Sequence, residues 1–94
     1  MKKWPLEVGR VALSRAGRDE GRKFLVIEEI DADFVFVADG KNRGMERPKK
    51  KRRSHLKPLE RVDTALREKL LRNESVENHE VRKSLSHEEE YEIV

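Results

Sequence analysis

Three short apolar runs, separated by breaks rich in glycine and aspartate, fill residues 8–40, which read VGRVALSRAGRDEGRKFLVIEEIDADFVFVADG. In the first, Val11 and Leu13 alternate with Arg10 and Ala12, the pattern of a half-buried strand with Arg10 on the solvent side. Gly17 and Gly21 bracket a polar loop, Arg18-Asp19-Glu20, where they permit positive φ or close backbone approach. The second run, Phe24-Leu25-Val26-Ile27, predicts a strand over about 23–30. Its unbroken apolar centre implies sharp twist or burial on both faces. Asp31-Ala32-Asp33 then interrupts the pattern before a third strand over 34–38, rich in β-branched and aromatic residues. Phe24, Phe34 and Phe36 are assigned to the core. Asp39-Gly40 is a strong hairpin signal, so three antiparallel strands with tight turns lead the fold.

The next stretch is less regular. Residues 41–46 are weakly apolar and predict a short fourth strand, which Pro48 ends because proline cannot donate to a ladder. Six of the seven residues over 47–53 are Lys or Arg, with no core-facing periodicity, which predicts a basic arm. Residues 54–57 supply a fifth strand with Leu56 turned inward. From Val62 the period changes: Val62, Ala65, Leu66 and Leu70 lie at helical spacing on one face. Asp63 near the start and Lys69 and Arg72 near the end suit the helix dipole, and Asn73 is a stop. Asn78 is placed to cap a second short helix carrying Val81 and Leu85. Helices this short need a surface to dock on. Packing back on the strands and contact with a protein neighbour both satisfy that need. The expected organisation is a β unit with its basic arm over 1–58, a helical appendage over 59–86 and an acidic, disordered tail over 87–94.

Charge divides along the same line. Through Pro58 there are 16 Lys and Arg against 9 Asp and Glu, and beyond it 6 against 10. Clustered cations repel one another unless anions neutralise them, so nucleic acid is the first partner to consider. The candidate RNA contacts are Arg18, Arg22 and Lys23 at the glycine loop, Lys41 and Arg43 after the turn, and Arg47, Lys49, Lys50, Lys51, Arg52, Arg53, His55 and Lys57 along the basic run. Gly17, Gly21 and Gly40 are structural loop positions.

Other chemistries lack their residues. Without cysteine there is no disulfide and no zinc site of the usual kind, and His55, His79 and His87 stand far apart. The serines carry no nucleophile-elbow signature. The Gly17–Gly21 loop lacks the Gly-Lys-Ser/Thr ending of a phosphate loop and leads into a strand. The expectation is a non-enzymatic chain with no cofactor and no metal. The amino terminus lacks the apolar segment of a signal peptide, and no apolar stretch reaches membrane-spanning length. The expectation is a cytoplasmic protein with no membrane partner.

The first half resembles a KOW motif on an SH3-like barrel. The matching residues are Gly9-Arg10-Val11, the loop from Ala16 through Gly21, the strand at Phe24 and the hairpin ending at Gly40. A closer likeness is to bacterial KOW-domain proteins related to the large-subunit ribosomal protein L14e family. It rests on Asp39-Gly40-Lys41, Pro48-Lys49-Lys50-Lys51 and His55-Leu56, which stand in that order. The resemblance implies a mostly β fold, a small SH3-like (KOW) barrel followed by a short helical C-terminal segment. It also implies binding of structured RNA, ribosomal RNA above all, within a ribonucleoprotein. The competing reading is an SH3-like protein-interaction module in a transcription or translation complex, for which the acidic tail and the face of Val62, Leu66 and Leu70 speak.

Overall fold

Alternation in the first forty residues yields β1 (Arg10–Ser14), β2 (Lys23–Glu29) and β3 (Phe34–Ala38), paired antiparallel in sequence order. A computed structural model describes the backbone of residues 4–93 and the side chains of residues 4–86. The acidic tail expected over 87–94 lies outside the described side chains. The chain continues with β4 (Lys49–Arg52), a 3-10 turn (Arg53–His55), β5 (Leu56–Val62), α1 (Thr64–Leu71) and α2 (Asn78–Ile93).

The expected barrel does not close, and the fold is mixed α/β. Strand order is β4-β3-β2-β1-β5, an open antiparallel sheet with β4 and β5 at opposite edges and two helices laid against it. The cause lies in the link between the edge strands. A hairpin would pair β4 with β5, but the 3-10 turn instead carries the chain away from β4 and delivers β5 to β1. Arg53 N–H donates to Asp33 O at the start of that turn, and Arg15 N–H donates to His55 O at its end.

Two apolar clusters lie on the two faces of the sheet. Ala12, Phe24, Val26, Val35, Val37 and Leu56 face one another, with Leu6 of the incoming segment among them. No helical residue joins this cluster, so the sheet must curl to bury it. On the other face Val11 and Leu25 meet Leu66 of α1, Val76, and Val81 and Leu85 of α2. The helical segment therefore packs back on the sheet. This two-sided burial is why β2 reads as an unbroken apolar run.

Several local expectations change. The fourth strand is not 41–46 but the basic run itself, because the cations of β4 alternate between faces, as described below. β5 begins at Leu56 and passes through Pro58, longer and later than the expected 54–57. Arg10 points inward, 5% exposed: its guanidinium donates to the carbonyls of Pro5, Leu59 and Glu60 and to the Glu7 carboxylate. The β1–β5 register shifts between Arg10 and Ala12, which breaks the alternation on which the outward assignment rested. Phe24 is core, but Phe34 and Phe36 are half-buried. Val35 and Val37 take the inward positions of β3, which turns the flanking phenylalanines to the other face.

Helix α1 is set by its cap. Asp63 accepts from Leu66 N–H at 3.0 Å and from Ser84 Oγ–H at 2.6 Å, so one carboxylate starts α1 and ties it to α2. Arg67 donates to Val8 O at 2.8 Å. Asn78, at the start of α2, accepts from Met45 N–H at 2.7 Å and donates to Glu46, so it pins the β3–β4 loop. Among the described residues no helix is long and apolar enough to cross a membrane.

Gly40 has φ +75°, and a Cβ there would stand 2.5 Å from Asn78 O and 3.2 Å from Val81 Cβ. Gly21 has φ +89° with open space around it. Gly21→Ala is expected to lose about 1 kcal/mol, the backbone cost alone. Gly40→Ala is expected to lose about 3 kcal/mol, because the start of α2 must also move. Urea denaturation of both variants measures the difference, and equal losses would mean that α2 does not rest on Gly40.

Candidate nucleic-acid interface

The basic run holds its shape through an acid on the far side of the sheet. In β4, Lys49 and Lys51 stand opposite Val37 and Val35 and so share the inward face, while Lys50 and Arg52 take the other. Lys51 is 6% exposed, and its Nζ donates to Asp19 Oδ1 at 2.7 Å and to Ala16 O at 3.0 Å. Lys49 Nζ donates to Asp19 Oδ2 at 2.7 Å, and Ser14 Oγ–H donates to Asp19 Oδ1. Asp19, 7% exposed, thus collects three donors from β1 and β4. Burial pushes its carboxyl up, but the bonds from Lys49, Lys51 and Ser14 outweigh that and hold it far below the usual carboxylate range. Every second lysine of the expected basic arm is therefore a structural group.

Asp39 organises the neighbouring loop. Its Oδ1 accepts from the backbone N–H of Lys41 and of Arg43, while the N–H groups of Asp39 and Gly40 donate to Arg43 O. The loop is closed from inside, which leaves the Lys41 side chain exposed and that of Arg43 partly so. Arg82 of α2 donates to Gly40 O at 2.6 Å and holds the loop from below.

Antiparallel pairing brings the β1–β2 loop, the β3–β4 loop and the start of β5 to one end of the sheet. Arg18, Arg22, Lys23, Lys41, Arg43 and Lys49 line the cavities between the two loops; Arg47 follows in the β3–β4 loop, and His55 and Lys57 lie beside the end of β1. Arg18, Arg22, Lys41 and Arg47 are exposed and make no ion pair among the described residues. The β2–β3 hairpin at the opposite end carries exposed Glu28, Glu29, Asp31 and Asp33. Arg53 belongs to that acidic end, where it bonds Asp31 O at 2.9 Å and Glu29 at 3.1 Å. Lys50 and Arg52 lie on the outer face of β4 next to that acidic end, over the Phe34 ring at 4.6 and 4.8 Å from its centroid.

The two basic loops enclose a cavity of about 220 Å³, lined by Arg18, Arg22, Asp39, Asn42, Arg43 and Lys49 among others. A wider one of about 520 Å³ adjoins it and shares Arg22, Asp39 and Asn42, with Arg82 and Leu85 on its α2 side. Arg82 was not legible as part of this end, since it reads only as the polar face of a helix. Arg15 also escapes a reading based on charge runs, because its neighbour His55 is distant in sequence. Among the described residues no three His, Cys, Asp or Glu side chains are grouped to hold a metal.

No family profile matches the chain. The large ribosomal subunit protein eL14 of Staphylothermus marinus is 32% identical over 57 residues, 61% of this chain and 59% of that protein. Its counterpart in Desulfurococcus amylolyticus is 35% identical over 63 residues, 66% of this chain and 62% of that protein. The eL14 of Hyperthermus butylicus is 33% identical over 81 residues, 85% of this chain and 74% of that protein. This chain belongs to the eL14 family. It spans about three fifths of the length of the first two relatives and three quarters of the third. An 81-residue match cannot fit before β5 ends at Val62, so the eL14 likeness takes in part of the helical segment too. A ribosomal-protein family agrees with the lack of catalytic signatures in the sequence.

Because the folded-state carboxyl of Asp19 is depressed, its contribution to stability is present above the usual carboxylate value and is lost as pH falls toward the lowered one. Asp19→Asn leaves Lys51 buried without its counter-charge and is expected to lose about 3 kcal/mol at neutral pH. The variant should also show a flatter loss of stability than the parent below about pH 4. Denaturation midpoints from neutral pH to about pH 2 check both, and parallel curves would remove Asp19 as the titrating group.

Proposed function

We propose that this eL14-family chain binds structured RNA, ribosomal RNA in particular, as a non-catalytic part of a ribonucleoprotein engaged in translation. The observation that carries the reading is the convergence of two preformed loops rich in exposed cations at one end of the sheet, with the acidic hairpin at the other. A phosphate backbone meeting this molecule is drawn to one end and repelled from the other. The names of the archaeal relatives, large ribosomal subunit proteins, support the same reading.

The contacts are assigned to Arg18, Arg22, Lys23, Lys41, Arg43, Arg47, His55 and Lys57 at the loop end, with Lys50 and Arg52 extending the surface along β4. Lys51 supports these groups from beneath. Arg and Lys side chains on loops suit phosphate and sugar contacts, which fix register and orientation rather than read sequence. RNA duplexes and junctions are recognised by such shape and backbone contacts, because the major groove of A-form RNA is too deep and narrow to read. Helices α1 and α2 spend their apolar stripe on the sheet, which leaves their polar faces for any protein neighbour in the assembly.

Association with a structured RNA should weaken steeply with salt, since each phosphate contact releases about 0.9 counterion on duplex. Arg22, Lys41 and Arg47 changed together to Gln should lower the slope of log K against log salt by about 2 to 3, with the fold intact by circular dichroism. Lys51→Gln should instead lower stability, so a variant that neutralises residues 49–53 as a block would confuse binding with folding. Filter binding at several salt concentrations is the measurement. An unchanged slope in the triple variant, or no binding by the parent at low salt, would sink the proposal.

A further inference from the structure

Resting on the RNA reading above, we propose that the cavity of about 220 Å³ between the β1–β2 and β3–β4 loops is a seat for one phosphodiester group, gripped by Arg18, Arg22 and Arg43. Its chemistry is one-sided. Three guanidiniums, the Lys49 ammonium and the Asn42 amide line it, and none of the three arginines makes an ion pair among the described residues. The two carboxylates that also line it already hold scaffold bonds, Asp19 through both oxygens and Asp39 through one. Asp19 accepts from Lys49, Lys51 and Ser14, and Asp39 Oδ1 accepts from two backbone N–H groups of its own loop. What remains is a surplus of planar donors without an acceptor, the complement of a phosphate's oxygens. The same surplus repels a metal cation.

Size and preparation agree with one anion. The volume is ample for a phosphate and part of its hydration shell. Each wall is fixed before a ligand arrives, one loop by the Asp19 cluster and the other by the Asp39 turn and the Arg82–Gly40 bond. The ordering cost of binding then falls on the arginine side chains and not on the loop backbones. The seat differs in kind from a diffuse basic patch, because it saturates and lies between two loops far apart in sequence.

Inorganic phosphate is the probe, followed by amide NMR shifts in the intact chain and, separately, by a structured RNA in a binding assay. Saturable shifts confined to residues 17–22 and 39–43 are expected. Arg18→Gln and Arg43→Gln should each weaken phosphate about tenfold, the loss of a charge-assisted contact. Asn42→Asp, at an exposed position, should weaken it as well, and Arg72→Gln, just past α1, should leave it unchanged. Well-dispersed spectra of each variant exclude unfolding. Unsaturable shifts spread over Lys50, Arg52 and Lys57, or unchanged phosphate affinity in Arg43→Gln, would overturn the seat. Parental RNA affinity in the Arg18→Gln, Arg43→Gln double variant would overturn it while the RNA reading stands. A parent that saturates with phosphate but binds no structured RNA would remove both.

Discussion

A buried carboxylate with two lysines on it sets the shape of the whole sheet. Asp19 sits in the β1–β2 loop, and Lys49 and Lys51 belong to the edge strand β4. No ladder joins β4 to the strands on that side, so this cluster does by ion pairing what hydrogen-bonded strands would do in a closed structure. It draws one edge of the curled sheet over the apolar residues inside. Burying an ammonium is costly unless its counter-charge and hydrogen bonds are well placed. Here Lys51 has both, from Asp19 and from Ala16 O. Position β4 elsewhere, and Phe24 and Val35 lose the cover that keeps them dry.

The same cluster explains how a strongly basic surface holds together. The two buried acids near the basic loops serve the scaffold: Asp19 accepts through both oxygens and Asp39 through Oδ1. The cations face outward. Asp63 repeats this use of a carboxylate on the other side of the sheet, capping α1 and accepting from Ser84 of α2. These buried acids fix positions, and the β2–β3 hairpin gathers four exposed acids, Glu28, Glu29, Asp31 and Asp33, at the end away from the basic loops. Antiparallel topology alone brings this about, by setting alternate connections at opposite ends.

Much of the first forty residues was legible because local pattern and burial agree there. Val11, Leu25, Val35 and Val37 alternate or run together as their faces demand, and β3 falls at Phe34–Ala38 as its composition implies. Legibility failed where a long-range partner overrides local pattern. Nothing near Lys51 in sequence announces that an aspartate thirty-two residues earlier will bury it, so a strand read as a solvated arm. Arg10 failed for the same reason, since its acceptors at Leu59 and Glu60 are supplied by β5. Hydrophobicity alone sends Phe34 and Phe36 inward, whereas the strand gives those places to Val35 and Val37. Open or closed sheet topology was not legible at all, because a 3-10 turn and a hairpin turn look alike in Arg53-Ser54-His55. The candidate basic residues were readable as charges, but their division into loop end, outer strand face and buried support was not.

Strand β4 resolves a tension that charge density alone leaves open. Four consecutive cations repel one another, and an edge strand invites pairing with another chain. Alternation answers both. Lys49 and Lys51 turn to Asp19 and lose their repulsion to an opposite charge. Lys50 and Arg52 turn out, where Phe34 offers its ring face to both. Any second β4 approaching this edge meets like charge, so self-association is disfavoured, whereas a polyanion meets an attractive surface. One tetrapeptide thus fastens the sheet with its inward pair and keeps its edge selective for anions with its outward pair. That economy is why the most basic stretch of the chain can also be part of its core.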